Sequence, residues 1–243
     1  MKKIIASIAL ATAAAVSMPA LAGYKVVDVS NGGSITGKIS FTGKDKAPQI
    51  YKVAKDTDTC GTENRVIDYV DVKDGALRNV VIYLDKVKSG KKFDKIEAKI
   101  DQKGCAFLPF FSVMTNDTNF EATNSDPVLH NIHTYEIMGR AKKTVMNVSQ
   151  PKQGATTKKK VKLKRGAGMK IECDAHDFMH GFVFVAKNPY YAIVADDGTY
   201  TLKDIPAGKY TVKAWHGTLG EQKGKANVAA GASATVDFTF KGK

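Results

Sequence analysis

Residues 171–185, with the sequence IECDAHDFMHGFVFV, contain two short apolar segments separated by a loop. Residues 171–173 and 182–185 are too short for helices and are rich in β-branched and aromatic side chains, which favour strands. The loop between them carries a cysteine, a histidine and a methionine at the spacing Cys-x2-His-x2-Met. We therefore predict two strands joined by a loop that presents three chemically distinctive side chains.

The rest of the chain shows the same pattern of short apolar or alternating segments bounded by glycine, asparagine and aspartate. No long segment has the 3.6-residue period of an amphipathic helix, so the fold class is predicted to be all-β. The predicted strands lie within residues 35–41, 70–72, 80–84, 106–135, 191–194, 200–202, 210–215, 223–228 and 233–240.

Four side chains form a candidate metal site. Cys173, His176 and Met179 are close enough for one loop to present them to one ion, and His130 adds a second imidazole from the segment NSDPVLHNIH, residues 124–133. Soft sulfur ligands select copper, and two imidazoles with a thiolate and a distant thioether are typical of electron-transfer copper. Zinc accepts cysteine and histidine, but a thioether suits it poorly. The sequence therefore predicts a mononuclear copper site.

Two other interpretations of these residues remain. Cys173 can be a small buried hydrophobic residue with Met179 filling the core beside it. Cys173 can also be a nucleophile with His176 as its base, but the sequence shows neither the orienting carboxylate nor the oxyanion site that such catalysis requires.

The remaining histidines have simpler interpretations. His130 and His133 differ by three positions, so a regular strand points them to opposite faces, and His130 is the predicted ligand. His133 is predicted to face the surface or a partner. His180 is predicted to be solvated at the end of the loop, and His216, which follows Trp215, to be packed.

The two ligand segments resemble the copper-binding motifs of cupredoxins, and those of amicyanins in particular. This resemblance covers residues 106–186 and implies a Greek-key β-sandwich, here assigned to residues 23–186. It makes His130, Cys173, His176 and Met179 the metal ligands, with the imidazole of His176 exposed. It also makes Asn131 the residue that ties the upstream strand to the cysteine loop by hydrogen bonds.

Residues 187–243 resemble the carboxypeptidase regulatory-like, transthyretin-type β-module. The resemblance rests on the turn ADDG at 195–198, the segment IPAGKY at 205–210, and Trp215. It implies a second, small β-sandwich without catalytic activity. Because so few strands barely close a sandwich, the predicted strand at 35–41 is a candidate to pack with this module.

Three cysteines allow one disulfide and leave one thiol. Cys60 and Cys105 both lie in turn-like segments, so their pairing is favoured over a bond to Cys173, which stays open as an alternative. The favoured bond would close a loop of about 46 residues. By lowering the entropy of the unfolded chain, it would stabilise the fold by roughly 4 kcal/mol.

The N-terminus predicts export. Lys2 and Lys3 precede an apolar segment and the small residues Ala20-x-Ala22, so residues 1–22 are predicted to be a signal peptide cleaved before Gly23. A periplasmic location is predicted, with an extracellular or cell-surface location as the alternative. No stable membrane insertion is expected because no later apolar segment reaches about 20 residues.

The charge is strongly basic. Loss of Lys2 and Lys3 takes the formal net charge from +13 to +11, and residues 140–170 contain eleven basic residues and no acid. This segment is either a solvated loop or a docking surface for an acidic redox protein, such as a c-type cytochrome or a dehydrogenase. Nucleic acid is not an expected partner of an exported protein.

The resemblance to cupredoxins implies one-electron transfer without transformation of a substrate, so no enzymatic activity is expected. The alternatives are a copper chaperone or storage protein that holds Cu(I) through the same ligands, and a structural or interaction protein whose cupredoxin motif binds nothing.

Overall fold

The computed structural model of the protein describes residues 24–242. The predicted signal peptide and its cleavage point at Gly23 lie outside these residues. The strands and the single helix of the described residues are β1 (Lys25–Val26), β2 (Gly33–Thr42), β3 (Gln49–Tyr51), α1 (Thr57–Cys60), β4 (Arg65–Ile67), β5 (Val72–Lys73), β6 (Ala76–Leu77), β7 (Val80–Leu84), β8 (Ser89–Gly90), β9 (Ala98–Gln102), β10 (Phe107–Leu108), β11 (Phe111–Thr115), β12 (Thr118–Asn124), β13 (His130–Met138), β14 (Ala141–Gln150), β15 (Thr156–Val161), β16 (Gly168–Cys173), β17 (His176–Ala186), β18 (Tyr191–Ile193), β19 (Thr199–Ile205), β20 (Gly208–His216), β21 (Gly220–Val228), β22 (Ser233–Thr235) and β23 (Phe238–Lys241). The predicted all-β fold class is confirmed.

The first sandwich packs a four-stranded sheet, in the order β10-β9-β12-β15, on a five-stranded sheet, in the order β11-β17-β16-β13-β14. Alternation along the strands directs one face of each sheet into a shared core. Ile100 and Phe120 enter this core from the smaller sheet, and Ile132, Ile171 and Val183 enter it from the larger one. Strand β11 pairs with β17 in parallel, and β12 pairs with β9 in parallel.

The second sandwich combines strands from both ends of the chain. One sheet has the order β18-β7-β20-β21, and the other places β2 between β19 and β22, with β23 also paired to β2. The predicted boundary at residue 186 therefore does not separate the two sandwiches. Strands β2 and β7 belong with the C-terminal strands because Ile35, Ile39, Val80 and Ile82 fill the same core as Val212.

The two sandwiches share a buried contact. In β17, Val183 and Val185 face the first core, whereas Phe182 and Phe184 face the other way and meet Trp215 of β20. The five-stranded sheet is thus covered on both faces, which explains why this strand has an uninterrupted apolar sequence. The same reason applies to β7, where Val81 faces away from the second core.

Residues 43–79 leave the second sandwich, cross to the first and return. The hairpin of β3 and β4 flanks α1, whose last residue, Cys60, is bonded to Cys105. The favoured disulfide is therefore present, and Cys173 is free and buried. This segment places α1 beside the loop that joins β16 to β17. No helix within residues 24–242 is long and apolar enough to cross a membrane.

Candidate metal centre

Strand pairing brings three of the predicted ligands together. Strands β13 and β16 are antiparallel neighbours, so His130 at the start of β13 lies beside the end of β16, where Cys173 is located. His176 begins β17 directly across the loop. The two Nδ1 atoms of His130 and His176 are 3.2 Å apart, and Cys173 Sγ is 3.8 Å from His176 Nδ1. One ligand atom from each residue lies within 4.8 Å of the others.

A carboxylate orients each imidazole. His130 Nε2 lies 2.8 Å from Asp126 Oδ2, and His176 Nε2 lies 2.9 Å from Asp56 Oδ2. A carboxylate favours the tautomer in which Nε2 carries the proton and donates it, so each Nδ1 keeps its lone pair. The two lone pairs then face each other at short range, an unfavourable arrangement that a cation between them would relieve.

Asn131 makes the contacts that the resemblance implied. Its backbone N–H donates to Cys173 Sγ at 3.3 Å, and its side-chain Oδ1 accepts from the backbone N–H of Asp174 at 3.4 Å. Its Nδ2 donates to Asn147 Oδ1 at 2.6 Å. These bonds fix the cysteine relative to β13, so the position of the thiol does not depend on the loop alone.

The electrostatics of the pocket follow from its burial. His130, Cys173 and His176 are 0%, 3% and 1% exposed. Burial raises the pKa of the Cys173 thiol, although backbone N–H groups oppose this, and burial lowers the pKa of His176 against the effect of Asp56. The pocket therefore favours the neutral form of His176, which is the form that binds metal, and leaves the Cys173 thiolate in need of a cation.

Met179 lies in β17, three residues after His176, and is 1% exposed. It belongs to the same core as Cys173 and borders an open cleft of about 300 Å³. The thioether is thus part of the core beneath the loop, and its role as the axial ligand stays a prediction.

Two imidazole nitrogens and one sulfur, gathered in a dry pocket with carboxylates behind both imidazoles, suit copper. Asp56 and Asp126 were not predicted from the sequence. Asp126 gave a weak signal, because it lies in a predicted turn four residues before His130. Asp56 gave none, because 120 positions separate it from His176.

The expectation that His176 exposes its imidazole is wrong. Its outer edge is covered by Asp56 and by the segment that carries α1. His133 lies outside the ligand group, and its side chain is 14% exposed. The ring of His133 stacks on Tyr135 and bonds to Asp174 and Thr144.

The prediction for His180 is also wrong. This side chain is partly buried against Tyr51 and Tyr69, and its Nδ1 is hydrogen-bonded to the Tyr69 hydroxyl. Burial lowers the pKa of His180 to about 4. His216 is packed, as predicted, and its Nδ1 accepts the backbone N–H groups of Thr218 and Leu219.

The basic segment is partly neutralised within the molecule. Residues 141–150 and 156–161 form β14 and β15, which are edge strands of the two sheets of the first sandwich. Lys158 forms ion pairs with Glu97 and Glu121, and Lys160 with Asp117. The acids come from other segments of the first sandwich, which is why the sequence of the basic segment alone overstates the local net charge.

Comparison with known proteins gives partial likenesses. No family of known proteins and no curated protein sequence matches the chain significantly. Solved structures of similar fold include the Cu-containing nitrite reductase of Thermus scotoductus SA-01, with a TM-score of 0.30 and 15% identity over 39% of this chain. The matched region spans 23% of that nitrite reductase chain.

Two smaller proteins are also similar. A purple cupredoxin from Nitrosopumilus maritimus has a TM-score of 0.31 and 20% identity, covering 37% of this chain and 99% of its own. Amicyanin from Paracoccus versutus has a TM-score of 0.29 and 14% identity, covering 39% of this chain and 85% of its own. None of these comparisons supports the resemblance of residues 187–243 to a carboxypeptidase regulatory-like module.

Proposed function

We propose that this chain is an exported, periplasmic copper protein that carries single electrons and transforms no substrate. Its metal ligands are His130, Cys173 and His176, with Met179 in the axial position. The observation that carries the proposal is the convergence of two Nδ1 atoms, each on an imidazole whose Nε2 bonds to a carboxylate, with one buried thiol.

Copper held there would supply the one-electron couple Cu(I)/Cu(II). The protein's own residues hold the site rigid and dry. Asn131 and Asp126 are fixed by backbone hydrogen bonds, so the ligands need not rearrange when the charge of the ion changes.

The proposed electron partner is an acidic protein such as a c-type cytochrome or a dehydrogenase. Lys143, Lys152 and Lys164 are exposed on or near the edge strands of the first sandwich. Attraction between opposite charges speeds encounter and weakens as salt screens it. Reversal of these three charges should slow reduction by an acidic partner at low salt, and unchanged kinetics would contradict this part of the proposal.

One observation favours copper storage or delivery as a second candidate function. His176 is covered by Asp56 and α1, whereas rapid electron exchange benefits from an exposed ligand edge. A covered site suits an ion that must be retained. The ligands would be the same, but Cu(I) would be the resting state.

Visible spectroscopy after addition of Cu(II) tests the proposal. The wild-type chain should develop an intense thiolate-to-copper band with one copper per chain. Cys173→Ala should abolish this band, and His133→Gln, which alters a histidine outside the ligand set, should retain it. Stoichiometric Cu(I) binding without a band would favour storage, and absence of copper binding would refute both functions.

A further inference from the structure

The disulfide lies directly beside the candidate copper site. The two sulfur atoms of Cys60 and Cys105 and a ring nitrogen of His176 all lie within 4.8 Å of one another. All three side chains are buried, with exposures of 3%, 1% and 1%. His176 therefore belongs to two candidate ligand groups. One contains Cys173, and the other contains the two disulfide sulfur atoms.

The turns that carry the two cysteines are held together by more than the disulfide. Arg65 Nη2 donates to the backbone oxygen of Cys60 at 2.7 Å and to that of Gly104 at 2.6 Å. The backbone N–H of Cys105 donates to Asp126 Oδ2, and that of Cys60 donates to the backbone oxygen of Asp56, both at 2.8 Å. None of these bonds involves a sulfur atom, so reduction of the S–S bond leaves their donors and acceptors in place.

A cleft open to solvent borders this group at Cys105. The cleft of about 300 Å³ is lined by Arg65, Cys105, Phe178 and Met179, among others. A small reductant or ion in this cleft would meet Cys105 first.

We propose that Cys60, Cys105 and His176 form an alternative, redox-dependent site for a soft monovalent ion such as Cu(I), which shares the His176 imidazole with the first site. A dithiol reductant transfers two electrons and two protons to the disulfide and becomes a disulfide itself. Both cysteine thiols then lose their protons as they bind the ion with the His176 imidazole. A disulfide oxidant reverses the step: it accepts the two electrons of the two thiolates, takes up two protons from solvent and becomes two thiols, while Cys60 and Cys105 form their disulfide again and release the ion. Binding therefore follows the thiol redox state of the surroundings.

The test uses the Cys173→Ala variant, which lacks the thiol of the first site. The protein is reduced with dithiothreitol, freed of it by anaerobic gel filtration, and titrated with Cu(I) against a chromogenic Cu(I) chelator. The reduced variant should bind one Cu(I) per chain and should protect two thiols from iodoacetamide. The oxidised variant should bind less than about a tenth of that amount, because a disulfide is a poor ligand compared with thiolates.

Matched variants identify the ligands. In the Cys173→Ala background, Cys60→Ser with Cys105→Ser should abolish Cu(I) binding. His176→Gln should weaken it by about tenfold or more, and His133→Gln should leave it unchanged. Near-ultraviolet circular dichroism of Trp215 monitors the fold after reduction.

Two results would overturn the proposal. One is a reduced Cys173→Ala protein that stays folded but binds no Cu(I), and the other is loss of the fold on reduction, since the proposal requires the preformed group. A result that refutes the first copper site can be told apart from one that refutes this proposal. If the first site is wrong, the oxidised wild-type chain shows no copper band, but Cu(I) binding by the reduced Cys173→Ala variant is unaffected.

Discussion

Asp126→Asn is the most informative single substitution, because Asp126 supports both the fold and the metal ligands. The carboxylate is buried, and its Oδ2 accepts from Cys105 N and His130 Nε2, both at 2.8 Å. Its Oδ1 accepts from Gly104 N, also at 2.8 Å. Asparagine keeps the volume and one oxygen but replaces the other oxygen with an NH2 group.

The loss of stability expected for Asp126→Asn follows from these contacts. With the amide oxygen in the place of Oδ2, the NH2 group faces the Gly104 N–H and leaves this donor unsatisfied at about 1–3 kcal/mol. The two remaining bonds lose the charge of their acceptor and weaken further. The free energy of unfolding at pH 7 should therefore fall by about 2–4 kcal/mol, and copper affinity should fall by about 10–100-fold.

The pH dependence has a defined sign. Burial by itself raises the pKa of Asp126, but hydrogen bonds from Cys105, His130 and Gly104 outweigh it and hold the pKa below the ordinary value of 3.8. The stability that the carboxylate contributes is therefore complete above about pH 4 and is lost as the pH falls through the folded pKa. The difference in the free energy of unfolding between wild type and Asp126→Asn should become smaller below pH 3.8.

Urea unfolding at pH 7 and below pH 4 measures both effects. Asp177→Asn is the matched control, since Asp177 is an exposed acid at the start of β17 and its replacement should change stability by less than about 0.5 kcal/mol. An Asp126→Asn protein within 0.5 kcal/mol of wild type at pH 7 would refute the reasoning.

Three further predictions concern other parts of the molecule. Asp56→Ala removes the carboxylate behind His176 and should weaken copper binding by about 10–100-fold in chelator competition, and equal affinity would contradict the orienting role. Burial lowers the pKa of His216 from 6.5 to about 4, so the stability that neutral His216 contributes should fall by about 3 kcal/mol from pH 6.5 to 4, and His216→Gln should make that part of the urea-derived profile less steep. Gly168→Ala would place Cβ 2.4 Å from Trp215 and should cost about 1–3 kcal/mol in urea unfolding, whereas Gly154→Ala meets no neighbouring atom and tests the strain of its positive φ alone.

The sequence was sufficient for the all-β class and for the gathering of His130, Cys173 and His176. Cysteine, histidine and methionine at short spacing are rare enough in combination to stand out without a structure. The apolar character of 80–84 and 182–185 indicated strands, but it could not indicate what covers each face. The boundary between the sandwiches was missed for that reason, since β7 gives no local sign that its partner is β18.

The surroundings of the metal ligands were less accessible from sequence. Asp56 reaches His176 only because residues 43–79 fold back over the first sandwich, and an aspartate in a polar turn has no distinguishing pattern. The same segment, residues 43–79, explains why the expectation of an exposed His176 imidazole was wrong. The cupredoxins, which the motif resembles, suggested that the His176 imidazole is exposed to solvent. The segment that covers it, within residues 43–79, lies outside residues 106–186, to which the resemblance is confined.

The pairing of β7 with β18 has a topological consequence. The chain leaves the second sandwich at Leu84 and returns at Tyr191 through adjacent antiparallel strands, so the ends of residues 85–190 lie side by side. Such a unit could be transplanted as an insertion between two neighbouring strands of an unrelated host. Without residues 43–79, the transplanted unit would lose Asp56 and Cys60, and the edge of His176 would open to solvent.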